Sequence, residues 1–239
     1  MEYAKDLKSS GEVTCFDSTP EKCSRCHDTG VAVREDELGQ RFGEVCDCAR
    51  QRNNERRINI SGLADAVGRY TFEAYQTPDA KLSRVKEIAQ KYCKDTSGAW
   101  FFITGSPGSG KSHICVAVCG ELLKSTDVRY MMWREDAVKI KAAVTDREAY
   151  AAMVEPLKRV SVLYIDDLFK GRVGDADINL AFEIINARYN DSRLKTIISS
   201  ERTLPELMKL DEALGSRIYE RARGYVVGAP GKNWRLRDG

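Results

Sequence analysis

The sequence predicts an α/β fold built on a parallel β-sheet, preceded by a small module that carries clustered cysteines. Three observations support this prediction. Short apolar runs alternate with helical stretches after residue 98, a glycine-rich loop follows the first run, and two closely spaced cysteine pairs lie within the first 50 residues. A chain of 239 residues with 42% apolar side chains can bury one full-sized core and also carry a small module.

The small module spans residues 14–50 and is predicted to contain a β-hairpin. VAVRED and RFGEV have the composition of strands, and they flank the turn-like segment ELGQ. The basic segment ARQRNNERR follows, and it is predicted to be a solvated helical linker. The paired cysteines stand on either side of the hairpin: Cys23, Cys26, Cys46 and Cys48.

Four clustered cysteines can serve a disulfide, a redox dithiol or a metal. The opening MEYAKDLKSS lacks the apolar core of a signal peptide, and no run approaches the ~18 apolar residues of a membrane span, so we expect a reducing, cytoplasmic location. Disulfides are rare there, and a redox C-x-x-C pair normally opens a helix in a thioredoxin-like unit, which is not predicted here. We therefore predict structural Zn²⁺ bound by the four thiolates, with Cys15 and His27 as alternative ligands.

The main domain is predicted to begin with a helix and to continue as alternating strands and helices. Apolar residues from Leu82 to Tyr92 follow helical spacing, and Gly98 is the predicted stop. Strands separated by helices form a parallel sheet with helices on both faces. The five predicted strands are WFFIT at 100–104, RYMMW at 129–133, VLYID at 162–166, TIIS at 196–199 and YVV at 225–227.

Cys93, Cys115 and Cys119 lie in predicted helices with apolar neighbours, so we expect them to be core residues.

The segment GSPGSGKS fits the G-x-x-x-x-G-K-[ST] pattern and lies directly between a predicted strand and a predicted helix. Glycines let backbone N–H groups surround a phosphate, and the start of the helix adds its positive dipole end. Lys111 is predicted to reach the β- and γ-phosphates, and Ser112 to bind Mg²⁺. The predicted nucleotide-binding residues are Gly105, Ser106, Pro107, Gly108, Ser109, Gly110, Lys111, Ser112, His113 and Asp166.

Two acids end the predicted strand VLYIDD, where a nucleotide site needs them. Asp166 is the predicted Mg²⁺-side carboxylate, and Asp167 stands where a general base orients the attacking water. At the end of the next strand, ISSER places Ser199, Ser200 and Glu201 beside the expected γ-phosphate. All of these side chains are therefore predicted to surround the transferred phosphoryl group.

Arg217, in ALGSRIYERARG, is predicted to lie between two helical stretches. A guanidinium there can complete the site of a neighbouring subunit and stabilise charge on the transferred phosphoryl group. A surface arginine in a local ion pair is the alternative interpretation.

The segments GSPGSGKS, VLYIDDL, IISSERTLPEL and GSRIYER, in this order, resemble the AAA+ ATPases, specifically the bacterial replicative-helicase loaders of the DnaC/DnaI type. SGLADAVGRYTFEAY is also similar to the stretch before the loaders' phosphate loop, so the likeness covers most of the chain. The IstB-type transposition helper ATPases and the replication initiator DnaA share the core pattern.

The resemblance implies a five-stranded parallel sheet without a full C-terminal helical lid, and ATP bound between neighbouring subunits. It makes Lys111 and Ser112 the Walker A ligands and Asp166 and Asp167 the Walker B acids. It also assigns Ser200 and Glu201 to the sensor 1 region, Arg217 as arginine finger and Arg235 as sensor 2, with Arg237 nearly as well placed. Only 12 residues follow Val227, which agrees with the expected lack of a lid.

Two departures from the family pattern concern hydrolysis. Many AAA+ ATPases have Glu where this chain has Asp167, and Glu201 replaces the Asn often found in loaders and helpers. The shorter Asp side chain makes direct contact with water less assured. We therefore expect hydrolysis to be slow or to depend on a partner.

The expected function is that of an ATP-dependent loader that binds a hexameric replicative helicase and delivers it to single-stranded DNA. Residues 1–57 would form the zinc-binding partner-docking module with its basic linker, and residues 58–239 the ATPase domain. The alternative is an IstB-type transposition helper that assembles on DNA, although such helpers are not expected to begin with paired cysteines. A small-molecule P-loop kinase is less well supported, because no segment resembles an arginine-bearing lid.

The net charge of +2 does not indicate nucleic-acid binding by bulk charge. Candidate DNA-contacting residues are the C-terminal basic side chains and the linker residues Arg50, Arg52, Arg56 and Arg57.

Overall fold

The structure is a computed structural model that describes residues 23–35 and 39–229. The chain divides into two compact units, Met1–Arg52 and Asn53–Gly239. No helix within the described ranges is long and apolar enough to cross a membrane. Whether residues 1–57 act as a partner-docking module stays a prediction.

The first unit contains the predicted hairpin. Strands β1 (Val31–Glu35) and β2 (Arg41–Val45) pair antiparallel, with Val31 opposite Val45. Helix α1 (Asp47–Ser61) begins in this unit, and the division between the units falls within it. Among the described residues of this unit, the buried apolar cluster consists of Ala32, Cys26 and Cys46, which is too little to stabilise a fold by hydrophobic burial alone.

The second unit is built on the predicted five-stranded parallel sheet. Its strand order is β4-β5-β6-β3-β7, and every neighbouring pair is parallel. The strands are β3 (Phe101–Thr104), β4 (Val128–Met132), β5 (Val162–Asp166), β6 (Lys195–Ser200) and β7 (Val226–Gly228).

Four of the five predicted strands differ from the observed ones by one residue at one or both ends, and VLYID at 162–166 matches β5. Trp133 was expected to end a strand but begins the next helix instead. The N–H of Met132, the residue before this helix, donates to the Asp136 carboxylate inside the first turns of the helix at 2.9 Å, so the chain has already turned from strand to helix at this point. The five predicted strands are confirmed, with this difference at one boundary.

Helices cover both faces of the sheet. The helices of this unit after α1 are α2 (Ala64–Val67), α3 (Ala80–Cys93), α4 (Lys111–Leu123), α5 (Trp133–Ala142), α6 (Arg147–Arg159), α7 (Asp175–Tyr189), α8 (Leu204–Leu210) and α9 (Glu212–Arg221). Successive strand residues point to opposite faces, so Phe101 and Ile103 pack on the side of α3 and α4, whereas Phe102 packs on the side of α5 to α9.

Arg188 of α7 is fully buried and ties α6 to β6. Its guanidinium donates to the carbonyl oxygens of Leu157 at 2.9 Å, Val160 at 2.8 Å and Lys195 at 2.5 Å, and to Thr196 Oγ1 at 3.0 Å. Such a set of acceptors compensates the cation for the loss of water.

Candidate functional site

The strand order brings three strand ends together at one edge of the sheet. Strand β6 lies between β5 and β3, and in a parallel sheet all carboxyl ends meet at the same edge. The glycine-rich loop therefore follows β3, the two acids end β5, and ISSER ends β6, all at this edge. This is the arrangement expected from the sequence.

The glycine-rich loop occupies residues 105–110, and α4 begins at Lys111 as predicted. Gly110 has a φ of +89°, in the left-handed region that favours glycine, and a Cβ there would approach the Tyr75 ring to 3.2 Å. The first N–H groups of α4 have no partners within the helix. Together with the helix dipole they form a site for an anion.

The interior of the loop also fits a phosphate chain. A Cβ on Gly105 would lie 2.9 Å from Ser109 Oγ, so only glycine allows this close packing. Ser109 Oγ is buried and has no hydrogen-bond partner in the described residues. A buried hydroxyl without a protein partner indicates that the loop is built to receive a polar ligand.

Lys111 is buried, and its Nζ donates to the carbonyl oxygens of Gly105 at 2.8 Å and Ser106 at 3.0 Å. Burial lowers the pKa of Lys111, and the nearby carboxylates of Asp167 and Glu201 partly oppose this shift. A polyphosphate would provide the counter-charge that a buried ammonium lacks.

Asp166 accepts hydrogen bonds from hydroxyl groups on four elements of the site. Its Oδ1 accepts from Ser112 at 3.2 Å, Ser199 at 2.5 Å and Tyr164 at 2.6 Å, and Oδ2 accepts from Tyr130 at 3.1 Å. The structure thus brings the two predicted Mg²⁺ ligands, Ser112 and Asp166, together. A hydroxyl and a carboxylate are the oxygen ligands that suit Mg²⁺, so this pair fits the metal.

Burial raises the pKa of Tyr130 and of Tyr164, and the Asp166 charge adds to both shifts. Both phenols therefore remain protonated donors to this carboxylate. Neither tyrosine was singled out from the sequence. A signal existed for Tyr164, which stands two positions before Asp166 and so lies on the same face of the strand.

Asp167 and Glu201 are joined by Lys170. The Lys170 Nζ lies 2.7 Å from Asp167 Oδ2 and 3.0 Å from Glu201 Oε1. Asp167 has a φ of +56°, and its N–H donates to Ser199 Oγ at 2.9 Å. The predicted general base and the predicted sensor acid are thus brought together, with a cation between them that sequence reasoning missed.

The serines that end β6 have different surroundings. Ser199 contacts Asp166 directly, whereas Ser200 is buried and donates to the carbonyl oxygen of Leu168 at 2.8 Å. The Ser200 hydroxyl therefore supports the loop after β5. The role of Ser200 as a phosphate sensor stays a prediction.

Arg217 lies inside α9, which corrects the expectation that it lies between two helical stretches. Asp211 caps the helix start through its contact with the Leu214 N–H at 2.6 Å, so the helix already covers this position. The Arg217 guanidinium packs over the rings of Phe182 and Tyr189 and donates to the Ala213 carbonyl oxygen at 2.8 Å. Within one chain its contacts are with α7 and α9.

His113 follows the phosphate loop and packs against residues 69–75, which read RYTFEAY and precede α3. Its Nε2 lies 2.9 Å from the Thr71 carbonyl oxygen, and its ring lies 5.1 Å from that of Tyr70 and 5.2 Å from that of Tyr75. The structure therefore places His113 between the loop helix and the RYTFEAY segment. Its contact with nucleotide stays a prediction.

The four predicted zinc ligands form one cluster in the first unit. All four sulfur atoms lie within 4.8 Å of one another, with Cys23 and Cys46 3.7 Å apart and Cys26 and Cys48 3.3 Å apart. Tetrahedral Zn–S bonds of ~2.3 Å require sulfur atoms about 3.8 Å apart, so the cluster fits zinc. The cysteines are free, which excludes a disulfide in this structure.

The thiols of the cluster differ in acidity. Hydrogen bonds from the backbone N–H groups of Cys26 and Arg25 lower the pKa of Cys23 to about 6, whereas sharing a hydrogen bond with Cys26 raises the pKa of Cys48 to about 12. His27 adopts a φ of +47° in the turn between Cys26 and the hairpin, and it is not one of the four clustered ligands.

Cys15, Arg235 and Arg237 lie outside the described residues. Their expected roles as an alternative zinc ligand and as sensor 2 candidates stay predictions.

The basic linker forms the predicted helix, but several of its arginines have acidic partners. Arg50 pairs with Glu44 at 3.3 Å and with Asp47 at 3.5 Å, and Arg57 pairs with Asp127 at 3.2 Å. Such exposed pairs contribute little stability. They nevertheless reduce the positive charge that the linker offers to a phosphate backbone.

A cavity of about 480 Å³ opens beside Glu201 and Lys170. Its wall includes the exposed cations Arg134 of α5 and Arg172 of the loop before α7, neither of which forms an ion pair with another residue of the described ranges. The aromatic rings of Trp133 and Phe169 also line it. This cationic groove, as we call it, was not anticipated from the sequence.

Known proteins with similar sequences and folds were compared with this chain. YqaM, an uncharacterized protein of Bacillus subtilis (strain 168), is 31% identical over 225 residues, which cover 87% of this chain and 66% of YqaM. The phage-like element PBSX protein XkdC of the same strain is 30% identical over 237 residues, covering 92% and 86%. The replicative helicase loader DnaC of Escherichia coli (strain K12) is 26% identical over 193 residues, covering 76% of each chain.

Solved structures agree in fold. The DnaC helicase loader has a TM-score of 0.61 at 20% identity, covering 73% of this chain and 99% of its own. DnaI has a TM-score of 0.56 at 18% identity, covering 70% and 91%. A sequence profile of the IstB-like ATP binding proteins matches residues 17–238, nearly the whole chain. This match, with the phosphate loop and the paired acids in place, shows that the chain belongs to the IstB-like family of AAA+ ATP-binding proteins.

Proposed function

We propose that this protein hydrolyses ATP and uses the nucleotide as a switch. The observation that carries the proposal is the contact of Ser112 with Asp166 beside the Lys111 loop. In the proposed reaction, a water oxygen forms a bond to the γ-phosphorus while the bond from this phosphorus to the β–γ bridging oxygen breaks. Asp167 accepts the proton that the water loses, and ADP leaves with the electron pair of the broken bond.

Different residues of the site would bind the phosphates and the metal. The loop N–H groups and Lys111 bind the phosphates, and Ser112 and Asp166 would hold Mg²⁺. When bound, Mg²⁺ neutralises charge on the β- and γ-phosphates. Tyr130 and Tyr164 keep the Asp166 carboxylate oriented through their hydroxyls.

The switch is proposed to control a hexameric replicative DNA helicase. Support comes from the likeness to a protein named replicative helicase loader DnaC over 76% of the chain. In this proposal the protein acts in the cytoplasm, binds the helicase with ATP bound and delivers it to single-stranded DNA. ATP can change the affinity for a partner only if it binds one conformation of the protein more tightly than another. In this proposal, Arg217 of an adjacent copy detects bound ATP by contacting its γ-phosphate.

The first unit is proposed to dock the helicase, with Zn²⁺ held by its four thiolates. The hairpin face that carries Val31, Val33 and Val45 is apolar and open, with exposed fractions of 50%, 69% and 51%. Three adjacent exposed valines are unusual on a surface that has no partner. This hairpin valine face is therefore the proposed contact.

Single-stranded DNA is proposed to bind the cationic groove. Arg134 and Arg172 are exposed and can contact the phosphates of a single strand. Each arginine removed should weaken binding and reduce the slope of log affinity against log salt by about 0.7. An unchanged slope in the double variant Arg134→Ala, Arg172→Ala would exclude the groove.

The alternative is an IstB-type transposition helper. The profile match favours it, as does 28% identity over 159 residues to an insertion sequence ATP-binding protein of Sinorhizobium fredii (strain NBRC 101917 / NGR234). ATP-dependent assembly on duplex DNA, without any helicase complex, would support this alternative.

The deciding experiment weighs complexes of this protein with the replicative helicase of its host, with and without ATP. Wild type should form an ATP-dependent complex, and Lys111→Ala should not. Val33→Asp should lose the complex while still binding ATP, and Val144→Asp, at a comparably exposed valine with 67% exposure, should keep it. A complex that forms equally without ATP would contradict the switch.

A further inference from the structure

Lys170 bridges the two acids that the sequence associates with hydrolysis. Its Nζ donates a hydrogen bond to Asp167 Oδ2 at 2.7 Å and forms an ion pair with Glu201 Oε1 at 3.0 Å. Glu201 Oε1 is buried, so the Lys170 ammonium is the contact among the described residues that compensates this oxygen for lost water.

The loop that carries Asp167 and Lys170 is held in an uncommon conformation. Asp167 and Phe169 have φ angles of +56° and +58°, and the Lys170 N–H donates to the Asp167 carbonyl oxygen at 3.0 Å. Left-handed backbone at two non-glycine residues persists only where the surroundings enforce it, and such strain is concentrated at functional sites.

The end of β6 enforces this conformation. The Leu168 N–H donates to the Ser199 carbonyl oxygen at 2.8 Å, and Ser200 Oγ donates to the Leu168 carbonyl oxygen at 2.8 Å. Arg202 Nε donates to the Phe169 carbonyl oxygen at 3.2 Å. The bridge thus joins carboxylates on two segments that are themselves fixed, so it has a defined geometry.

The bridge affects the chemistry of Asp167. A carboxylate that accepts a hydrogen bond from an ammonium has one oxygen occupied, so that oxygen is not free to contact the attacking water. The hydrogen bond to Asp167 is the main cause that raises the pKa of Lys170, so the ammonium stays charged at neutral pH. In this conformation the proposed general base is restrained by its own chain.

We infer that Lys170 is a positioning residue that holds the Asp167 and Glu201 carboxylates away from the attacking water, so that hydrolysis is slow until this bridge opens. The inference rests on the proposed ATP hydrolysis. It gives a physical reason for slow or partner-dependent turnover that is separate from the length of the Asp167 side chain.

The test compares ATP affinity, kcat and KM for wild type, Lys170→Met and Lys170→Arg. Methionine preserves side-chain length without charge, so kcat should rise about fivefold or more, with KM and the ATP dissociation constant within about twofold. Arginine keeps the positive charge at this position, so turnover of Lys170→Arg should stay as slow as that of wild type. Adding Asp167→Asn to Lys170→Met should abolish the gain, because the effect acts through Asp167.

Lys158→Met is the matched control. Lys158 also bridges two carboxylates, those of Glu155 at 3.1 Å and Glu183 at 2.5 Å, but it belongs to α6 and lies outside the site. Its loss should leave kcat unchanged. A rise of kcat in both methionine variants would indicate a general loosening of the protein and overturn the inference.

Other outcomes separate the inference from the proposed function. An unchanged or lower kcat for Lys170→Met, with ATP still bound, overturns the role of Lys170. Weaker ATP binding in this variant also overturns it, because Lys170 would then contact the nucleotide itself. If wild type and Lys111→Ala bind ATP equally, the proposed function fails instead.

Discussion

Asp166 shows how a single side chain can be oriented by its neighbours. Four hydroxyls donate to its two oxygens, so the carboxylate is held before any metal binds. Hydrogen bonds to a charged group typically contribute about 1.5–3 kcal/mol each. Tyr130, Tyr164 and Ser199, which are not predicted metal ligands, are therefore expected to affect metal affinity by orienting Asp166.

Tyr164→Phe is expected to weaken Mg²⁺-dependent ATP binding about tenfold or more, because it removes the 2.6 Å hydrogen bond to Asp166. ATP affinity without Mg²⁺ should change little. Titration of ATP binding at several Mg²⁺ concentrations measures both. Tyr150→Phe is the control, since that phenol donates to Glu183 at 2.5 Å, outside the site. Equal effects of the two variants would contradict the orienting role.

Arg188 is the residue on which we expect the fold of the second unit to depend most strongly. Arg188→Met would leave the carbonyl oxygens of Leu157, Val160 and Lys195 buried without a donor, so the free energy of unfolding should fall by about 3–5 kcal/mol. Urea unfolding measures this. Arg193→Ala, at a side chain with 86% exposure, should cost less than about 1 kcal/mol. Comparable losses would show that burial of Arg188 is not decisive.

At the scale of elements, we expect the hairpin of the first unit to depend on its thiol cluster. The apolar core that its described residues form is small, whereas structural zinc can contribute roughly 10 kcal/mol or more to folding. We expect about one equivalent of zinc per chain, lost in Cys46→Ser. Chelation should unfold the hairpin, as followed by proteolysis, while ATP binding persists because the second unit has its own cores.

Cys93→Ser is the control for the zinc measurement. Cys93 lies in α3, outside the cluster, and burial raises the pKa of its thiol to about 12, so it does not supply a thiolate at neutral pH. This variant should keep its zinc. Wild type without zinc, or a hairpin that resists the chelator, would contradict a structural metal.

The elements themselves were largely predictable, because the patterns that define them are local. Alternation of apolar runs with helical stretches predicted all five strands, and the position of GSPGSGKS predicted the start of α4. Arg217 was misplaced because the Asp211 cap, which starts α9 before it, was not recognised. A cap depends on one side-chain contact, and the periodicity of apolar residues does not report it.

The site was predictable only where it follows a motif. Ser112 and Asp166 meet as expected, since both belong to recognised segments. Tyr130 and Lys170 belong to the site because of the pairing of distant strands and the conformation of the loop after β5. Tyr130 reaches Asp166 because β4 pairs with β5, and Lys170 reaches Glu201 because β6 neighbours β5. Pairings between distant segments are not encoded in any short stretch of sequence.

At the scale of the whole molecule, the proposed role of Arg217 as an arginine finger predicts that one chain alone does not hydrolyse ATP efficiently. Arg217 is half-buried, its contacts with Phe182 and Tyr189 are worth about 0.5–2 kcal/mol, and its Nε is buried without a hydrogen-bond partner in the described residues. A hydrogen-bonded phosphoryl group would satisfy this donor. If Arg217 contacts the γ-phosphate bound by a neighbouring copy, as proposed, activity should require at least two copies.

Mixing two inactive variants tests this requirement. Arg217→Ala keeps an intact phosphate loop and Lys111→Ala keeps Arg217, so each should hydrolyse ATP far more slowly than wild type. In a random mixture of equal amounts, about a quarter of the contacts between copies would join an intact loop to an intact Arg217. Activity should therefore return to about a quarter of the wild-type rate, and dilution should abolish it. A mixture as inactive as its components would assign Arg217 to its own chain, where it stabilises the packing of α9 on α7.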